Sequence, residues 1–228
     1  RVAELKGLSR EKPGSKEARR HAARATTYAG LLAHFVGDAT MPLHTSSDHN
    51  GYGRGNGGVH DYFEGQAPMT ATPALELSAY ERVPEQLRKY SLEQRFRAGG
   101  FSPAARVVLD LCLLSHKRIG EMLALDDALV LERSSAEPGR RKRSAKRKGA
   151  DEAYKLFEPM IQEQLALASA ALARLWRGAW EEAGRPALSK SRSYFYQHRA
   201  TFVEPDYDAQ AVSRIKSAQT RASRDEDE

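Results

Sequence analysis

The chain has 228 residues, with 36 Lys or Arg against 30 Asp or Glu, for a formal net charge of +6; 40% are hydrophobic and one is Cys. A single Cys excludes an internal disulfide framework and an all-Cys zinc site, and no run approaches the roughly 20 apolar residues of a membrane-spanning helix. The length is ample for a buried core in one or two domains, and a pI of ≈ 9.4 raises the question of a polyanionic partner.

The first 24 residues carry eight basic and three acidic side chains. Pro13, Gly14 and Ser15 then supply a helix start signal. From Lys16 to about Met41, the residues Ala18, Ala22, Ala25, Ala29, Leu32 and Val36 recur at alternating spacings of four and three. That period predicts a helix with one inward stripe. Pro42 ends it, since proline lacks an amide donor and disfavours helical geometry in the residue before it. Residues 50–58, NGYGRGNGG, hold five Gly and predict a loop in which backbones approach closely. A second helix is expected from about Ala74 to Arg97, with an interruption at Pro84. A third starts at Ser102-Pro103, a cap followed by proline at the first helical position. It continues through Val107, Leu111, Leu114, Met122 and Leu125. Being apolar almost all round, it is expected to be the central buried helix.

Arg140 to Lys148 runs RRKRSAKRK, seven positive charges in nine residues. The net +6 less those seven leaves the rest of the chain at −1. The stretch 134–150 is expected to be a disordered basic loop, because like charges repel and nothing apolar anchors it. It is either a solvated insertion or a patch for phosphates on nucleic acid or a lipid surface. The last long helix is predicted over Asp151 to Ala183, with Tyr154, Phe157, Ile161, Leu165, Ala168, Leu172, Leu175 and Ala179 as its stripe, and Gly184 and Pro186 as its stop. Strand signals are scarce and no internal repeat is found. The expected architecture is an all-α domain over 1–184 and a C-terminal extension over 185–228. The extension holds the aromatic cluster Tyr194, Phe195, Tyr196 and Tyr207 and a short helix over Asp208 to Ala222.

Four of the seven His fall between His34 and Glu64. His34 and Asp38, four apart at the end of the first predicted helix, project from one face. His44 follows just beyond Pro42, and His60 and Glu64 repeat the four-residue spacing after the glycine loop. Two such pairs with a His between them form a metal-site pattern. Imidazole and carboxylate suit zinc, and placing them on one helical face presets the bite. Asp48, His49 and Asp61 are near enough to contribute substitute or supporting groups. His21, 13 residues before His34, points to a different face. Cys112, His116 and the pair Trp176 and Trp180 are read as packing residues. No P-loop, dinucleotide fingerprint, Ser-centred elbow or EF-hand loop occurs.

The string HFVGDATMPLH followed by GVHDYFE resembles the zinc-dependent phospholipase C and single-strand-specific nuclease superfamily. Its motif has the form H-x-x-G-D-x-x-x-P-L/M-H, then a variable loop, then H-x-x-x-D/E. Here His34, Gly37, Asp38, Pro42, Leu43, His44, His60 and Glu64 occupy the fixed positions. Glu at the last position looks more like the phospholipase branch, and Met41 stands where Gln is common. The resemblance implies a mostly helical bundle with up to three zinc ions in a cleft. Asp38 would be the catalytic ligand bridging a close zinc pair, with His34 beside it, while His44, His60 and Glu64 hold the third ion. It further implies hydrolysis of a phosphodiester, in a phospholipid headgroup or single-stranded nucleic acid, by metal-activated water. A secreted or periplasmic location follows by the same resemblance. The family's remaining ligands, an amino-terminal Trp and then a His, an Asp and a His, have no counterpart. The chain is therefore expected to lack the N-terminal portion of the bundle and to keep one complete zinc site. Two other functions compete: a non-catalytic zinc-binding protein built on that site, and a nucleic-acid-binding module using Arg140 to Lys148.

Overall fold

The structure is a computed structural model that describes residues 2–70, 72–89, 103–136 and 142–188. These residues are mostly helical, in six main helices with one small two-stranded sheet. The aromatic cluster after Arg192 and the short helix expected from Asp208 lie outside the described residues.

Helix α1, Val2–Arg10, had no signal in the sequence pattern. It packs on α2, Lys16–Thr40. Gly7 allows the approach, because a Cβ there would lie 2.5 Å from the His21 ring. Helix α2 starts where its signals place it. Gly14 turns the chain with φ 79°, and the Ser15 side chain accepts the Ala18 amide at 3.0 Å. Its predicted stripe faces inward, with Ala18, Ala25 and Val36 buried. Met41 leaves the helix with extended backbone, and Pro42 begins a 3-10 turn, Pro42–Thr45.

After the glycine loop comes one α turn, Val59–Asp61, that widens into a π turn, Tyr62–Gln66. Helix α3, Thr72–Lys89, passes through Pro84 rather than breaking there. It seats Leu75, Ala79 and Gln86 against the rest of the fold. The stretch predicted to extend it to Arg97 lies outside the described residues.

The single helix expected from Pro103 to Leu125 is two: α4, Pro103–His116, and α5, Ile119–Asp127. Arg118 interrupts them with φ −90° and ψ −7°, and its guanidinium clamps Glu121 and Glu163. Nor is this segment central. Val107 and Leu111 are buried, but Leu109 and Leu113 are 49% and 63% exposed. The central element is α6, Ala150–Glu182, which contacts all five other helices. Its small residues Ala153, Ala166, Ala170 and Ala171 are fully buried, which lets neighbours come close. The predicted stripe drifts halfway along, where Leu165 is exposed and Gln164 is buried.

The basic stretch departs from expectation. Residues 142–150 are not a detached loop: β2, Lys146–Arg147, pairs antiparallel with β1, Val130–Glu132, and Ser135 bridges to Arg143. Charge does the anchoring that apolar residues could not. Glu132 pairs with Arg143 and Lys146 at 2.7 and 2.6 Å, Arg147 with Asp126 at 2.7 Å, and Lys148 with Glu152 at 3.8 Å.

Two core clusters matter for the site. The larger one gathers Met41, Leu43, Val59, Tyr62, Phe63, Met122, Leu129, Phe157 and Met160. Phe63 meets Phe157 edge to face at 5.1 Å. The turns that carry the His residues rest directly on this cluster. The other, around Val36, Val107, Leu111, Leu167 and Leu175, holds α2, α4 and α6 together.

Candidate metal centre

The Pro42–Thr45 turn carries His44, and the α–π turn carries His60 and Glu64. Leu43, Val59 and Phe63 are buried beneath, so the polar residues between them face outward. His44 Nε2 lies 2.9 Å from His60 Nε2. Glu64 Oε2 lies 2.8 Å from His60 Nε2 and 3.7 Å from His44 Nε2. Side-chain exposure falls from 51% at Glu64 to 27% at His44 and 17% at His60. The site is therefore sheltered at the imidazoles and open at the carboxylate.

The far sides of both rings are tied. His60 Nδ1 is 3.1 Å from the His49 carbonyl. A carbonyl only accepts, so an N–H at Nδ1 satisfies it and Nε2 is the nitrogen turned toward Glu64. The Glu64 oxygen lies 2.8 Å from that Nε2, a separation that a shared proton or a bound cation would bridge. His44 Nδ1 lies 3.5 Å from Asp38 Oδ1, an ion-pair distance that places the carboxylate behind this ring. Histidine ligands of metals are oriented by such outer partners. Donors on a tetrahedral zinc are about 3.4 Å apart, given bond lengths of about 2.0–2.1 Å. The three separations of 2.8–3.7 Å bracket that value. The residues fit zinc in number, type and spacing, and His44, His60 and Glu64 would hold it.

The other predicted residues divide. Asp38 also reaches His34, with Oδ2 3.3 Å from Nε2, and His34 is 70% exposed. Asp38 thus links His34 to His44 from behind, and the converging donor group is His44, His60 and Glu64. His49 supports the site through its backbone carbonyl; its own Nε2 lies 3.1 Å from the side-chain Nδ2 of Asn50. Asp61 accepts from Gln66 Nε2 at 2.6 Å at the rim. Asp48 contacts the glycine loop. Its Oδ2 accepts the Gly53 amide at 2.9 Å and closes a turn of the glycine loop. His49, Asn50, His60, Asp61, Glu64 and Gly65 line an open depression of about 410 Å³.

Sequence reasoning missed the residues that hold these turns in place. His116 Nδ1 lies 3.2 Å from both the carbonyl and the hydroxyl oxygen of Thr45, docking α4 onto the His44 turn. Asn56 is 1% exposed and its Nδ2 donates to Asp126 and Asp127 at 2.8 and 2.9 Å. The hairpin clasps the glycine loop from both arms: Ser134 N donates to the Gly55 carbonyl and Ala145 N to the Gly57 carbonyl, each at 2.9 Å. The one available signal was an Asn set among glycines, which marks a turn but not its partner.

His21 sits away from the site, 2.7 Å from Glu4. Cys112 packs beside the second core cluster, where burial pushes its thiol pKa up. Trp180 packs against Leu5, Ala25 and Ala183 and donates to the Pro186 carbonyl. Among the described residues of the basic run, Arg143, Lys146, Arg147 and Lys148 have acidic partners within the chain. No helix among the described residues is long and apolar enough to cross a membrane. The chain matches no family model, no curated protein and no solved structure.

Proposed function

We propose that the chain is a zinc-dependent phosphodiester hydrolase of the helical-bundle type that its His34–Glu64 motif resembles. The observation that carries this reading is the convergence of His44 Nε2, His60 Nε2 and Glu64 Oε2 at the edge of an open depression. Three protein ligands are the number that catalytic zinc sites use, leaving one approach for substrate. Bound zinc would supply Lewis-acid charge for a phosphoryl oxygen and would acidify water near neutral pH. The chain's own residues do the positioning. The His49 carbonyl lies 3.1 Å behind His60 Nδ1 and the Asp38 carboxylate 3.5 Å behind His44 Nδ1, each placed to orient its ring. Glu64 brings a negative charge that offsets part of the ion's and stays open to solvent. The buried face of Leu43, Val59 and Phe63 keeps the two turns from shifting apart.

Hydrolysis of bis-p-nitrophenyl phosphate by the zinc-loaded chain tests this. Activity should disappear on chelation and in His60→Ala; turnover unchanged by His60→Ala would remove this site from the mechanism. A second reading has one observation in its favour: the three donors join separate segments, so an ion there would also staple the Pro42–Thr45 turn to the α–π turn. Tight zinc binding with no hydrolysis of any phosphodiester would select that structural role.

A further inference from the structure

We infer that Arg147 is a positioning residue for the metal centre, holding the start of the turn that carries His60 and Glu64; this rests on the zinc-site reading above. Arg147 belongs to the basic run, yet its side chain is only 5% exposed and its partner Asp126 is fully buried. Nε and Nη2 donate to the two oxygens of Asp126 at 2.7 and 2.9 Å. The remaining donors do not go to other carboxylates. Nη2 reaches the Asn56 carbonyl at 2.7 Å, and Nη1 reaches the Gly57 carbonyl at 3.1 Å.

Those two carbonyls lie three and four residues before His60. The Asn56 carbonyl also accepts the Val59 amide at 3.0 Å, the bond that opens the turn bearing His60. One oxygen is thus shared between Arg147 and the first residue of the site-bearing turn. On the other side of His60, the Tyr62 ring lies 5.2 Å from the Arg147 guanidinium, and the Tyr62 hydroxyl donates to the Lys148 carbonyl. The segment 56–62 is therefore held before and after His60 by two consecutive residues of β2 and its exit. Between those grips the chain passes Gly58, at φ 86°, whose amide donates to the Asn50 carbonyl at 2.9 Å. Only a planar fork with five donors can meet a carboxylate and two carbonyls together; an ammonium serves fewer of them. The charge of Arg147 is used inward, on the loop that aims His60.

The test is zinc affinity by calorimetry, with the visible absorption of the Co²⁺-loaded chain as a reporter of ligand geometry. Wild type is compared with Arg147→Ala, Arg147→Lys and Leu175→Ala, the last a destabilising control in the core cluster away from the site. Arg147→Ala should weaken zinc binding at least about 10-fold, as loss of groups supporting ligands does, and should change the cobalt bands. Arg147→Lys should recover part of both. Leu175→Ala should lower the melting temperature and leave zinc affinity unchanged. A folded Arg147→Ala that binds zinc like wild type, or a Leu175→Ala that loses as much affinity, overturns the inference. If Arg147→Ala does not fold, Arg147→Lys decides: affinity loss beyond that of Leu175→Ala supports positioning, and an equal loss refutes it. A wild-type chain that binds no zinc overturns the metal reading itself, and this inference with it.

Discussion

Replacing Asp126 with Ala should be among the most damaging single changes outside the apolar core. Asp126 is fully buried and receives Arg147 through two bonds, at 2.7 and 2.9 Å, and Asn56 Nδ2 at 2.8 Å. Truncation leaves a guanidinium of 5% exposure without its counter-charge and an amide without one of its acceptors. Removing one partner of a buried ion pair costs about 3–5 kcal/mol, mostly because the other charge stays buried and unpaired. A single unit of this size loses about 2–4 °C of melting temperature per kcal/mol, so the fall should be about 6–20 °C. Set against total stabilities of about 5–15 kcal/mol, that is a large share. Thermal melting by circular dichroism measures it, with Glu132→Ala as the comparison. Glu132 also pairs with two cations of the basic run, but in solvent, where such pairs contribute little. If Asp126→Ala costs no more than Glu132→Ala, the buried clasp between hairpin and glycine loop is not what holds this region.

Two further outcomes follow from shifted pKa values. The hydrogen bond from Asn56, aided by Arg133, holds the Asp127 carboxyl below its ordinary range. Its contribution is therefore complete above about pH 3.9 and is lost as pH falls through the depressed native value. The difference in urea midpoint between wild type and Asp127→Ala should be constant from pH 5 to 7, on the order of the ordinary carboxylate range upward, and should close in stronger acid; a gap that persists or widens in acid would contradict that assignment. Burial raises the Cys112 thiol pKa, so less thiolate forms at neutral pH. A disulfide reagent such as DTNB should label the native chain far more slowly than the urea-unfolded chain, and equal rates would show that the thiol is not packed as described.

What could be read from the sequence was whatever depends on neighbours along the chain. Helix α2 begins just after its cap Ser15 and ends before Pro42, because a cap, a stripe and a proline act within a few residues of themselves. The pairs His34–Asp38 and His60–Glu64 were legible for the same reason, since a spacing of four puts both groups on one helical face. That His44 would meet His60 depended on the two turns sharing a floor of Leu43, Val59 and Phe63, which spacing alone does not give.

The misreadings have one physical cause, dependence on distant partners. An apolar stretch such as 103–125 does not declare which side chains a neighbour will cover, and Leu109 and Leu113 stayed exposed. The alanines of α6 carried no strong hydrophobic signal, yet their size made that helix central. The run Arg140–Lys148 looked unanchored because its anchor, Asp126, comes from another element and works by charge. His49 was singled out for its ring, whereas its backbone carbonyl is the group facing His60, and residue identity says nothing about a carbonyl.

The central claim is that His44, His60 and Glu64 hold one metal ion. Anomalous diffraction at the zinc absorption edge, from crystals of the chain grown with zinc, tests it most directly. The account predicts a peak within about 2.0–2.2 Å of His44 Nε2, His60 Nε2 and a Glu64 oxygen, the usual zinc bond lengths. The absence of a peak there, or zinc held only by His34 and Asp38, would contradict it.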